Sequence, residues 1–175
     1  MSRLKQKVIF VTGGAKSGKS SFVLGEAAKH HGQKAFIATA EALDEEMKSR
    51  IEKHKGERGE GWDTFEEPLH ISEAIEKLVG RYRVIVLDCL TLWLSNAMHR
   101  NADIELETEN LLNTLRKKPD ALIYIVSNEV GTGIVPENKL AREFRDLAGT
   151  MNQRVAGACD EVFMVVAGIP IKIKG

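Results

Sequence analysis

Short apolar runs alternate along this chain with longer amphipathic stretches, a rhythm that predicts a parallel sheet covered by helices. Val8 to Val11 is apolar without interruption, as a strand buried on both faces should be. Ala35 to Ala38, Val84 to Leu87, Leu122 to Val126 and Val162 to Val166 have the same character, and a weaker candidate surrounds Trp62 to Phe65. After the turn at Ala167–Gly168, residues 169–173 alternate, which predicts a return strand at one edge. Helices are predicted near residues 18–30, 42–57, 71–79, 104–117 and 138–157, and the segment 90–99 reads either as a helix or as an irregular connection. No internal repeat, low-complexity tract or proline-rich linker interrupts the pattern, so a single domain over residues 1–175 is expected.

Composition narrows the classes. With 43% hydrophobic and 29% charged residues, the chain has an ordinary globular balance. A chain of this size can bury about 70% of its unfolded surface. Lysine plus arginine equals aspartate plus glutamate at 25 each, so there is no electrostatic case for a nucleic-acid partner. Any bound anion must be held by local geometry. Cys89 and Cys159 stand outside any CxxC pair and beside apolar segments, so buried free thiols in a reducing cytoplasm are expected. No apolar run approaches the roughly 20 residues that cross a bilayer, and the short basic start leads straight into a glycine-rich turn. Neither a signal peptide nor a membrane span is expected.

The strongest local signal is Gly13-Gly14-Ala15-Lys16-Ser17-Gly18-Lys19-Ser20, which fits the P-loop pattern between an apolar strand and a helix. Glycines let the backbone wrap phosphate oxygens with its N–H groups turned inward, and the helix opening at Gly18 adds its positive dipole end. Lys19 is expected to reach the β- and γ-phosphates, and Ser20 to ligate Mg²⁺. Such a site also needs an acidic residue near the metal at the end of a neighbouring strand, and Asp88 supplies one; capping of the following helix is its other reading.

A histidine sits on an unusual stripe. If residues 43–58 are helical, Leu43, Met47 and Ile51 share one face, and His54 falls about 20° from Leu43's direction at 100° per residue. Arg50 and Arg58 flank it at i−4 and i+4. Neighbouring arginines disfavour the protonated imidazole and can grip phosphate oxygens. A neutral imidazole is a competent nucleophile toward phosphorus, although on spacing alone a lone histidine near a helix end is most often a surface or packing residue. His30, His31, His70 and His99 have no comparable setting.

These residues, taken together, resemble the adenosylcobinamide kinase / adenosylcobinamide-phosphate guanylyltransferase family of cobalamin biosynthesis. The likeness runs from residues 11–20 through Ile37-Ala38-Thr39-Ala40 and Asp44-Glu45-Glu46-Met47 to Arg50, Ile51 and His54. Trp62, Thr64, Glu66, Glu67 and Pro68 follow. The most specific stretch is the block from Ser127 to Asn138, continued by Arg142 to Asp146 and Asn152-Gln153-Arg154. Residues 97–118 match weakly and nothing is carried over there.

The resemblance implies a RecA-like α/β P-loop NTPase fold: a mostly parallel sheet with one antiparallel edge strand, helices on both faces, and usually a homotrimer. It implies a bifunctional enzyme. GTP or ATP, with Mg²⁺, phosphorylates adenosylcobinamide; GTP then guanylylates a histidine, which passes GMP to adenosylcobinamide phosphate. Carried over by position, His54 is that histidine. Thr39, Ala40 and Glu41 correspond to a nucleotide-contacting turn, Lys55, Gly56, Glu57 and Arg58 to a second contact, and Glu66 and Asp88 to nucleotide-site acids. Asn128 and Glu129 end a strand and open a glycine-containing loop, a place suited to binding or catalysis, or to turn formation and helix capping. The P-loop alone also admits a simple small-molecule kinase, or a RecA-like ATPase acting on a macromolecular partner.

Overall fold

Positions Val8 through Gly13 are all buried, and they form the strand β1 (Lys7–Gly13) around which the sheet is built. The structure is a computed structural model and describes residues 6–41, 45, 56, 58, 59, 61–117 and 119–175. The chain continues through α1 (Lys19–Ala28), β2 (Lys34–Ala38), β3 (Trp62–Glu66), α2 (Ile71–Leu78), β4 (Val84–Asp88) and α3 (Leu90–His99). It ends with α4 (Ile104–Arg116), β5 (Leu122–Asn128), α5 (Lys139–Ala158), β6 (Glu161–Val166) and β7 (Ile169–Lys174).

These strands make a seven-stranded sheet in the order β3-β2-β4-β5-β1-β6-β7. Every neighbouring pair is parallel except β6–β7, the return strand that the alternation predicts. The ambiguous segment 90–99 is helical, and the weak strand candidate near Trp62 is a true edge strand. The helix predicted over 42–57 lies outside the described residues except at positions 45 and 56.

Alternate residues of the parallel strands feed two cores. On one face Phe10, Ile37, Ile85, Leu87, Ile123 and Ile125 pack under α2, α3, α4 and α5, with Trp93 fully buried. On the other face Val11, Phe36, Val86, Tyr124 and Val126 meet Val23 and Ala27 of α1. Helices thus cover both faces, as an α/β sheet buried on both sides requires.

Local chemistry sets the helix ends. The Asp103 side chain accepts the Leu106 N–H at 3.0 Å at the start of α4, and Asn138 accepts the Ala141 N–H at 3.2 Å at the start of α5. Lys174, on β7, donates to the carbonyls of Ala156, Gly157 and Cys159, satisfying the orphan acceptors at the α5 C-terminus. Both cysteines are free and buried; burial pushes the Cys89 thiol up to about 11 and the Cys159 thiol up to about 12. Among the described residues, no helix is long and apolar enough to cross a membrane.

Candidate nucleotide site

In a parallel sheet, ligands bind beyond the carboxyl ends of the strands, and the candidate residues gather there. The register places Ala38 between Glu66 and Asp88, and Gly13 opposite Asn128. The ends of β1, β2, β3, β4 and β5 therefore form one rim, with the phosphate loop rising from β1.

The loop's shape depends on its glycines and on a neighbour. A Cβ at Gly13 would lie 2.5 Å from the Val165 carbonyl oxygen and 2.6 Å from Ser17 Oγ, so β6 and the loop leave no room for a side chain. Gly18 has φ 93°, the left-handed conformation that favours glycine, and a Cβ there would come within 3.1 Å of Gly168 Cα. Lys16 is also left-handed, at φ 56°, and the Ser17 N–H donates to the Gly14 carbonyl at 3.2 Å, closing the turn. The Gly168 N–H donates to the Ser17 carbonyl at 2.8 Å, so the β6–β7 turn braces the loop from outside. Gly14, Ala15 and Lys16 stay exposed, while Thr12 Oγ1 and Ser17 Oγ are buried without a hydrogen-bond partner.

Lys19 is buried and its ammonium donates to the Gly14 carbonyl at 3.1 Å. Desolvation lowers its pKa, and the carboxylate of Asp88 opposes that shift. Ser20 Oγ donates to Asp88 Oδ2 at 3.0 Å, which brings a hydroxyl and a carboxylate to one place. Hard oxygen donors of this kind fit Mg²⁺, which keeps several waters and substrate oxygens in its shell. Among the described residues no group of three or more His, Cys, Asp or Glu could hold a metal. Cys89 occupies the N-cap position of α3, and its side chain makes no capping hydrogen bond.

Arg58 joins this rim from the sheet's second face. Its guanidinium carbon lies 4.0 Å from the Phe36 ring centroid, and Nη2 donates to Thr64 Oγ1 at 3.1 Å. Desolvation lowers its pKa while the Asp88 charge opposes, and a guanidinium remains charged regardless. Glu66 is exposed at the end of β3, and Gly56 is exposed. His54, Lys55 and Glu57 lie outside the described residues.

The turn after β2 divides its tasks. Thr39 is fully buried, and its hydroxyl both donates to the Cys89 carbonyl and accepts the Cys89 N–H, each at 2.8 Å. Its own N–H donates to the Asp88 carbonyl at 3.1 Å. The Thr39 side chain thus clamps β2 to the residue after Asp88 and is turned away from solvent. Ala40 and Glu41 are partly exposed, and Glu41 accepts from Arg100 at 2.6 Å. A second clamp, whose contacts no linear spacing reveals, lies behind β5. Asn128 Nδ2 donates to Thr91 Oγ1 at 2.7 Å, and Asn152 joins the Ser127 hydroxyl to the Asn128 carbonyl. Glu129 shapes its own turn, accepting the Gly131 N–H at 2.6 Å. Sequence reasoning missed both this polar cluster and the β6–β7 brace, because nothing in linear spacing shows which turn meets the phosphate loop.

A strand–glycine loop–helix unit on β1, an acid at the end of β4 one strand beyond β5, and this strand order define a RecA-like P-loop nucleotide-binding protein. A solved RadB recombinase shares the fold, with a TM-score of 0.54 and 14% identity over 91% of this chain and 74% of that one. The model of the CobU family, cobinamide kinase / cobinamide phosphate guanyltransferase, matches residues 9–173, and the chain belongs to that family. It is 40% identical to the bifunctional adenosylcobalamin biosynthesis protein CobU of Escherichia coli K12, over 95% of this chain and 99% of the relative. It is 41% identical to the Salmonella typhimurium LT2 protein of the same name (95% and 99%), and 40% identical to CobP of Pseudomonas aeruginosa (94% and 96%). The chain is therefore an enzyme of the kinase and guanylyltransferase class in cobalamin biosynthesis.

Proposed function

We propose that this enzyme uses GTP or ATP to phosphorylate the free hydroxyl of adenosylcobinamide, and then transfers GMP from GTP to the resulting phosphate through a guanylylated His54. The observation that carries the reading is the convergence of Lys19, the Ser20–Asp88 pair and the buried Arg58 guanidinium on one rim. His54 precedes Arg58 by four residues, a span that even fully extended chain covers in about 14 Å.

In the kinase step, the acceptor hydroxyl attacks the γ-phosphorus and a nucleoside diphosphate leaves. Lys19 and the phosphate-loop N–H groups balance the charge gathering on the departing oxygens. In the guanylyl step, the neutral imidazole of His54 attacks the α-phosphorus, a P–N bond forms and pyrophosphate leaves. A phosphate oxygen of adenosylcobinamide phosphate then attacks the same phosphorus, breaking the P–N bond and releasing the imidazole with adenosyl-GDP-cobinamide. Dividing one substitution into two is the usual gain of nucleophilic catalysis. Ser20 and Asp88 would hold Mg²⁺, which supplies Lewis-acid neutralisation of phosphate charge when bound.

The test is incubation with α-labelled GTP and Mg²⁺. Label should remain with the denatured wild-type protein and vanish in His54→Ala. Wild-type protein that stays unlabelled while still phosphorylating adenosylcobinamide would leave a simple kinase.

A homotrimer belongs to the same proposal. Its support is the outer strand β7, where Ile169, Ile171 and Ile173 are exposed on an edge with no further strand among the described residues. Sedimentation equilibrium should give three times the 19.4 kDa chain mass, and a monomer at micromolar concentration would reject it. A cytoplasmic setting is proposed with it, supported by the two buried free thiols.

A further inference from the structure

The loop from Glu129 to Asn138 begins at the phosphate loop and carries branched apolar side chains into solvent. The Glu129 N–H donates to the Gly13 carbonyl at 2.9 Å, so the two loops leave the sheet side by side. Beyond that anchor Ile134 is 96% exposed and Val135 60% exposed, although both ends of the loop are tied down. Glu129 accepts the Gly131 N–H at one end, while Arg142 donates to the Pro136 and Glu137 carbonyls at the other. An anchored loop that keeps isoleucine and valine in water forgoes the burial such side chains normally gain. Single exposed apolar residues need no explanation, but an adjacent pair beside a charged phosphate site points to a ligand with an apolar surface.

We infer that this loop is the docking surface for the corrinoid body of the acceptor, an inference that rests on the proposed function. The acceptor's hydroxyl must reach the outermost phosphate, and this loop leaves the sheet beside the phosphate loop at the Glu129–Gly13 hydrogen bond. A corrinoid rim carries methyl groups and primary amides. Ile134 and Val135 meet the methyl groups, and the backbone of Thr132 and Gly133 offers donors and acceptors to the amides. A second copy of the chain is the weaker occupant, because exposed apolar surface for self-association lies separately on β7, beyond β6 from the phosphate loop.

The test uses the full-length chain with the double variant Ile134→Ser/Val135→Ser. Two readouts accompany the kinetics: equilibrium dialysis of adenosylcobinamide, followed by its visible absorption, and sedimentation velocity. The KM for adenosylcobinamide should rise about tenfold, with dialysis showing the same loss and the nucleotide KM moving by less than about twofold. The variant Ile134→Leu/Val135→Leu should restore acceptor binding, which separates lost apolar contact from misfolding. Acceptor binding equal to wild type in the serine variant overturns the inference. So does a serine variant that sediments as a smaller species, since the loop would then be a subunit contact. A wild-type chain that binds adenosylcobinamide without phosphorylating it would reject the proposed reaction, and dialysis would still judge the loop.

Discussion

Lys19 and Thr39 sit on the same rim and hold it in different ways. Lys19 keeps a charge in a partly desolvated place because Asp88 faces it and because phosphate is its natural partner. Its present partner, the Gly14 carbonyl, is neutral and belongs to the loop itself, so a triphosphate would replace a weak contact with a charge-assisted one. Lys19→Met should therefore lower phosphoryl-transfer turnover by about 10²-fold or more while leaving the folded state intact. Steady-state rates beside circular dichroism check this, and turnover within a few-fold of wild type would remove Lys19 from the mechanism. Thr39 predicts the opposite pattern. Thr39→Val leaves the buried Cys89 N–H without its acceptor, while the Cys89 carbonyl keeps the Trp93 N–H at 3.1 Å, and should cost about 1–3 kcal/mol in denaturant unfolding. A stability loss near zero would mean that the Cys89 N–H finds another partner.

At the scale of elements, β6 and β7 do more than finish the sheet. Their turn supports the phosphate loop through Gly168, while Glu161 at the foot of β6 pairs with Lys7 of β1 and Lys172 of β7. Burial alone would raise the Glu161 carboxyl, but hydrogen bonds and charge from the two lysines outweigh it and hold its pKa below the ordinary value. A depressed folded-state pKa gives stability that is present above the unfolded value of about 4.5 and is lost as pH falls through the folded value. Glu161→Gln should thus lower unfolding free energy by about 1–2 kcal/mol at pH 7, with the gap to wild type closing toward pH 3. Urea titrations at a series of pH values check the sign; a gap that does not narrow at all as pH falls below 4.5 would mean that shape rather than charge is at work. The same elements mark how far the sequence could be read. Uninterrupted apolar runs revealed the buried parallel strands, and alternation after Gly168 revealed the return strand, because period and burial follow directly from side-chain order. Glycine spacing revealed the phosphate loop, and the acid at the end of β4 followed from the needs of a metal. The Thr39 clasp, the Asn128–Thr91 contact and the Gly168 brace could not be read, since each joins residues whose nearness arises only from the strand order.

For the whole molecule, the position of the rim decides how ligand binding is felt. The phosphate loop springs from β1, which lies between β5 and β6, and Asp88 ends β4 on the far side of β5. These strands carry the buried residues of both cores, so losing the site's geometry means losing the sheet's centre, not fraying an edge. A ligand that binds only the folded state then adds RT ln(1 + [L]/Kd) to global stability, about 2.7 kcal/mol at a hundredfold excess over Kd. For a chain of this size, each kcal/mol moves the midpoint by about 2–4 °C, so saturating GTP with Mg²⁺ should raise Tm by about 5–10 °C. Lys19→Met should show a much smaller rise at the same nucleotide concentration, because its weaker binding enters the same logarithm. Differential scanning calorimetry with and without nucleotide makes the comparison. If the wild-type midpoint stays fixed at saturating nucleotide, binding is not coupled to the central strands, and the rim described by Lys19, Ser20, Asp88 and Arg58 is not where the triphosphate sits.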